Sequence, residues 1–157
     1  PLVPIFNNLM SNQQIEKLIK IAKSLAGRPY KYGAKPSEAP RFFDCSGFIQ
    51  YLYKQVGYHL PRSTIEQAEK GTTIKNIKNL KIGDLIFTRG ERGHYNKKFP
   101  MGIGHVLMYL GNNQAIHAAS KRIKTNPKII EKGKVKIESS QKILKRNDVI
   151  VIKRILK

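Results

Sequence analysis

Apolar residues recur with a helical period before residue 71 of this chain and with a period of two after residue 84. Ile15, Leu18, Ile19, Ala22, Leu25 and Ala26 share one helical stripe, and Phe48, Ile49, Leu52, Tyr53 and Val56 share a second. Beyond them, Asp84–Thr88, His105–Leu110, Gln114–Ala119, Val135–Ser139 and Val149–Ile155 alternate as strands do. Helices first and strands after, within 157 residues, define an α+β class. N-terminal helices pack on a central antiparallel β-sheet, and the length supplies one core rather than two.

Punctuation sets the boundaries. Pro1 and Pro4 oppose helix, so residues 1–11 read as an extended lead-in to a single domain over 12–157. Ser11 with Gln14 forms a capping box for the first helix, which Gly27 stops. Arg28–Phe43 reads as a loop. The second helix begins at about Cys45 and closes at Gly57, and a short third runs from Ser63, boxed by Glu66, to Lys70. The insert Arg89–Gly102 carries His94, Tyr95, Lys97 and Lys98 and reads as a surface loop or rim.

Charge bears on partners rather than fold. Thirty basic against ten acidic residues give +20, spread along the chain with no detachable tail. Anionic cell-wall polymers would be held by this diffuse charge. No nucleic-acid recognition motif accompanies it, so no specific nucleic-acid partner is expected. Apolar runs fall far short of a transmembrane span. The chain begins at Pro1 with no visible export signal, a start compatible with prior removal of a signal or upstream domain. A monomer is expected.

The single cysteine, Cys45, excludes an internal disulfide. It stands where a helix begins, in Asp44-Cys45-Ser46-Gly47, so the unpaired N–H groups and the positive dipole end favour a thiolate. The same N–H groups suit an oxyanion beside the sulfur. Two histidines follow in strands, His105 and His117. With Gly111-Asn112-Asn113 as a three-residue loop, Leu107 faces His117, and His105 is its diagonal neighbour on the same face, about 7–8 Å away at Cα. A two-residue loop would place the rings on opposite faces. Cys45 as nucleophile, His105 as base and His117 as its orienter then make a triad for acyl transfer. His59 reads as an exposed turn residue. His94 and Glu91 lack a fixed ligand spacing, so neither metal nor cofactor is expected. Asp84 supports a turn before its strand. Arg62 is either a hydrogen-bond hub or a contact for a substrate carboxylate.

Several runs together resemble the NlpC-type cell-wall peptidases (the NlpC and p-sixty family). They are Asp44-Cys45-Ser46-Gly47-Phe48, Leu60-Pro61-Arg62-Ser63 with Gln67, Leu80 to Phe87, Gly104-His105-Val106 and Ile116-His117-Ala118. They occur in the family's order over residues 12 to 157. The resemblance implies a papain-like fold and hydrolysis of peptidoglycan stem peptides between γ-D-glutamyl and a diamino acid. It matches Cys45, His105 and His117 to the catalytic positions and Tyr32 to a tyrosine beside the oxyanion. Asp44 and Ser46 match positions that bind the stem peptide's free amine, with Arg62 and Ser63 as further substrate contacts. It implies an extracytoplasmic location. The same triad also serves an amidase, a transferase or a secreted toxin-type peptidase. A different class of reading is a non-catalytic basic binder of anionic polymer or nucleic acid.

Overall fold

The computed structural model describes residues 2–91 and 93–155, with side chains from residue 12 onward. Helix α1 spans Leu2–Ser24, α2 Cys45–Gln55 and α3 Thr64–Ala68. The strands are β1 Thr72–Thr73, β2 Leu85–Thr88, β3 His105–Gly111, β4 Gln114–Lys124, β5 Ile130–Ser139 and β6 Val149–Arg154, with α4, Ser140–Leu144, between the last two. They form one sheet in the order β1-β6-β2-β3-β4-β5, every neighbouring pair antiparallel. The α+β reading holds, and this is a papain-like arrangement.

The helix N-terminus corrects the expectation of an extended lead-in. Helix α1 reaches back to Leu2, with Pro4 in its first turn, where the backbone N–H groups have no helical partner to lose. The supposed cap Ser11 is therefore internal, and its side chain lies outside the described residues. Gln14, its expected capping partner, instead donates to the Val56 carbonyl at 3.1 Å and ties α1 to the end of α2.

The sheet buries both faces. Phe48, Ile49, Leu52 and Tyr53 of α2 and Leu18, Ala22 and Leu25 meet Phe87, Val106, Met108, Ile116 and Ala118 from the strands. Each large side chain so buried contributes about 1.5–3 kcal/mol. The other face packs Ile86, Leu107, Ala115 and Ile152 under Ile143 of α4. This double burial holds the first residue of α2 against the entry of β3. No helix among the described residues is long and apolar enough to cross a membrane.

The β3–β4 hairpin reaches the expected parity by a different route. Its loop has two residues, Asn112 and Asn113, both at positive φ as a type I′ turn requires, and Gly111 faces Gln114. A bulge at Leu110 then shifts the register by one, so Tyr109 faces Ala115 and Met108 faces Ile116. One further step sets Leu107 opposite His117. The extra residue restores what the shorter loop would have reversed.

Candidate active site

Asp44 is the N-cap of α2, and its Oδ1 accepts from the Gly47 N–H at 2.8 Å. Its Oδ2 accepts from Arg62 Nη2 at 2.6 Å. Arg62 also donates to Ser46 Oγ at 2.7 Å and to the Ala34 carbonyl at 2.6 Å. Glycine at position 47 leaves this cap its room, because a Cβ there would lie 2.8 Å from Asp44 Oδ1. Gln67 is fully buried and donates to the Ser46 and Pro61 carbonyls at 3.0 and 2.8 Å. Asp44, Ser46, Arg62 and Gln67 thus clamp the turn that presents Cys45. Of the two roles open to Arg62, the hub is the one its bonds display. Ser63 caps α3 and donates to Glu66 Oε1 at 2.5 Å.

Cys45 is partly exposed, and its Sγ meets the Gly104 carbonyl at 3.9 Å, one residue before His105. The Ser46 and Val106 N–H groups also face the sulfur. Gly104 is held between Arg89 and Gly93, where a Cβ would lie 2.6 Å from the Arg89 carbonyl oxygen. The insert 89–102 is therefore packed against the strand entry. It closes on itself through paired backbone bonds between His94 and Ile103, while Tyr95 points to solvent.

His105 Nε2 lies 2.6 Å from His117 Nδ1, the rings edge-to-face. His117 Nε2 lies 2.5 Å from Glu138 Oε2. Glu138 is a site residue that sequence reasoning missed. It sits on β5 opposite Ala115, two residues from Lys136, the partner of His117. Lys136 Nζ is 3.3 Å from Glu138 Oε1.

The structure favours Tyr30 over Tyr32 as the tyrosine beside the nucleophile. Tyr32 is half-exposed, with the Arg122 guanidinium 5.6 Å above its ring. Tyr30 is largely buried, and Ser120, Glu131 and the charge of Cys45 act on its hydroxyl. Burial, then Cys45, push its hydroxyl well above the ordinary range. Its backbone is fixed by bonds to Gly133 and a bridge to Phe43. Arg122 Nε and Nη2 hold Glu131 Oε1 at 2.9 and 2.6 Å and complete this wall. His59 lies elsewhere, lining a recess with Gln50, Tyr51 and Lys54. No group of three or more His, Cys, Asp or Glu able to hold a metal occurs among the described residues.

The electrostatics oppose the expected thiolate. Burial and the adjacent Asp44 carboxylate push the Cys45 thiol up to about 12, and the Ser46 and Val106 N–H groups offset only part of this. Burial, helped by His117, brings His105 down to about 3. Both shifts favour the uncharged forms, a thiol and a neutral imidazole. Alkylation of Cys45 at mildly acidic pH should therefore be slow. A fast, flat rate across mildly acidic pH would reveal a preformed thiolate and contradict this electrostatic balance.

A cysteine heading the helix packed on the sheet, with two hydrogen-bonded strand histidines, defines the papain-like class. The NlpC/P60 family model matches residues 27–147, and the chain belongs to this family. The gamma-DL-glutamyl hydrolase of Bacillus subtilis (strain 168) is 36% identical over 125 residues, 77% of this chain and 28% of that protein. The murein DD-endopeptidase MepS/murein LD-carboxypeptidase of Escherichia coli (strain K12) is 35% identical over 118 residues, 73% of this chain and 55% of that one. The chain thus spans between about a quarter and just over half of these relatives' lengths. The solved P60 domain of an antigen from M. avium subspecies paratuberculosis matches with a TM-score of 0.66 at 28% identity, covering 94% of this chain and 98% of that one. The peptidoglycan hydrolase RipB from Mycobacterium tuberculosis matches with a TM-score of 0.66 at 28% identity, covering 94% and 67%.

Proposed function

We propose that the protein is a cysteine endopeptidase that hydrolyses peptidoglycan stem peptides between γ-D-glutamyl and a diamino acid. The observation that carries this reading is the hydrogen bond between His105, on the strand whose entry Cys45 touches, and His117 on the neighbouring strand, in a chain of the NlpC/P60 family. Relatives named as a gamma-DL-glutamyl hydrolase, a murein endopeptidase and a peptidoglycan hydrolase support the substrate class.

In this mechanism the Cys45 proton passes to His105 as the sulfur bonds to the scissile carbonyl carbon. The carbonyl oxygen takes the electron pair and is stabilised by N–H groups at the start of α2, with Tyr30 beside it. Collapse expels the amine, which leaves with the proton returned by His105. Water, deprotonated by the same ring, then hydrolyses the thioester. The neutral resting pair means that substrate arrival, not a standing thiolate, initiates attack. Such an enzyme works outside the cytoplasm, as a monomer held to anionic wall polymers by its +20 charge.

Digestion of purified muropeptides, followed by mass spectrometry, tests the reading against a Cys45→Ala control. Fragments ending in γ-D-glutamate are expected. Intact muropeptides, or products cut at the sugar–peptide amide, would overturn it.

The same assay addresses Asp44 and Ser46 as receptors for the free N-terminal amine. Arg62 already engages Asp44 Oδ2 and Ser46 Oγ, so their remaining lone pairs give a weakened site. A free tetrapeptide should be cut about tenfold faster than its N-acetylated form, the lower end of what a bond to a charged group contributes, about 1.5–3 kcal/mol. Equal rates would leave both residues purely structural.

A further inference from the structure

Glu138, His117 and His105 form a line of hydrogen bonds: Oε2 to Nε2 at 2.5 Å, then Nδ1 to Nε2 at 2.6 Å. A carboxylate only accepts, so the charge state of Glu138 decides how the protons along this line are dealt. Burial raises its carboxyl, but bonds from His117 and Lys136 outweigh this and hold it below the usual range. His117 moves the opposite way. Burial lowers it against the pull of Glu138, and the charges of Lys136 and Arg146 add to the lowering. The pair is therefore a neutral imidazole donating to a carboxylate.

A neutral His117 that donates through Nε2 has a bare Nδ1. That nitrogen must accept from His105 Nε2–H, and this leaves His105 Nδ1 bare in turn. We propose that Glu138 is a positioning residue of the reaction: by accepting from His117 Nε2 it fixes both imidazoles as Nε2–H tautomers and leaves His105 Nδ1 to take the Cys45 proton. The proposal rests on Cys45 as nucleophile and His105 as its base. In that step the S–H bond breaks, an N–H bond forms at His105 Nδ1, and the sulfur's electron pair goes to the carbonyl carbon. The resulting imidazolium already directs Nε2–H at His117, with the Glu138 charge one ring beyond.

The opposite deal disables the site. An imidazolium at His117, or its Nδ1–H tautomer, would donate to His105 Nε2 and force the His105 proton onto Nδ1. No lone pair would then remain for the thiol. Lys136, 3.3 Å from Glu138 Oε1, and Arg146 both oppose that charged state. The groups whose charges reach His105 are His117, Arg146, Asp148 and Lys136.

The test uses the full chain with 15N-labelled histidine, and Glu138→Gln and Glu138→Ala variants whose melting temperatures are checked. Long-range 1H–15N spectra read the tautomers of the resting protein. Iodoacetamide reads the reactivity of Cys45, the only thiol in the chain. Wild type should show both rings as Nε2–H. In Glu138→Gln the amide can donate as well as accept, so His117 should gain Nδ1–H. Cys45 alkylation at neutral pH should then slow about tenfold, and kcat on muropeptides should fall by about as much with KM unchanged, a partial loss of general-base action. Wild-type His117 found as imidazolium or Nδ1–H, or a Glu138→Gln variant with unchanged tautomers or unchanged alkylation, overturns the proposal. Should wild type leave muropeptides intact while tautomers and alkylation behave as expected, the role of Glu138 is supported and only the substrate reading fails.

Discussion

Cys45→Ala and His105→Ala are each expected to abolish peptide hydrolysis, with kcat falling about 10⁴-fold or more, because nucleophile and base act as one unit. His117→Ala should retain measurable turnover, with a loss of about 10²-fold, since water can take over part of an orienting hydrogen bond. The structure sharpens this order. His105 Nε2 has His117 Nδ1 as its partner at 2.6 Å, so deleting His117 frees the His105 ring without removing it. It also strands the Glu138 carboxylate that His117 now satisfies. Single-turnover assays at saturating muropeptide, with melting curves to confirm folding, check the ranking. Equal and modest losses in all three variants would contradict the assigned roles.

What the sequence made legible is what periodicity encodes. Helix α2 shows a helical stripe, and β2, β3, β4 and β6 contain short apolar runs, so these elements are legible although burial of both sheet faces blurs the alternation. The first part of β5, Ile130–Lys134, is mostly exposed, so its alternation carries no signal. Strand β1 and helix α4 have two and five residues, too few for any period. Pro4 argued for an extended start where the first helical turn tolerates it.

The site was legible only as far as register was. Local spacing placed His105 and His117 on one face, although a two-residue turn plus a bulge did the work of the assumed three-residue loop. Glu138 lay beyond reach for a related reason. At the loop end of the β4–β5 hairpin Lys124 faces Ile130, but a bulge between Arg122 and Lys124 shifts the register by one. Counting back from the loop would set His117 opposite Ile137 and send Glu138 to the wrong face. Tyr30 and Tyr32 share the same parity. What separates them is the pairing of Tyr30 N–H with the Gly133 carbonyl, a contact across more than a hundred residues. A helix start was weighed without the burial that pushes the thiol up.

A large loss of stability is expected from Asp84→Ala, a residue remote from the chemistry. Its carboxylate is 1% exposed and accepts from Arg154 Nε at 2.8 Å, Arg154 Nη2 at 2.7 Å and the Lys81 N–H at 2.8 Å. Arg154 Nη2 also reaches the Asn79 carbonyl at 2.7 Å. The turn support foreseen for Asp84 is thus one part of a larger junction, which ties the entry of central strand β2 to the end of β6, seventy residues later. Removing Asp84 leaves Arg154 with only the Asn79 carbonyl, and the Lys81 N–H without its carboxylate. Breaking such a pair costs about 3–5 kcal/mol. That is a large share of a typical folding stability of about 5–15 kcal/mol. For a chain of this size it corresponds to a melting temperature lower by roughly 6–20 °C. Arg154→Ala should cost as much or more, because it strands the more deeply buried carboxylate. The double variant Asp84→Leu/Arg154→Met should recover part of the loss, since it leaves no orphaned charge. Urea unfolding of the three variants measures this directly. Single-variant losses below about 1 kcal/mol would mean that the pair behaves as a solvent-screened surface bridge, and that the β2–β6 pairing, not Asp84, holds the C-terminal strand in the sheet.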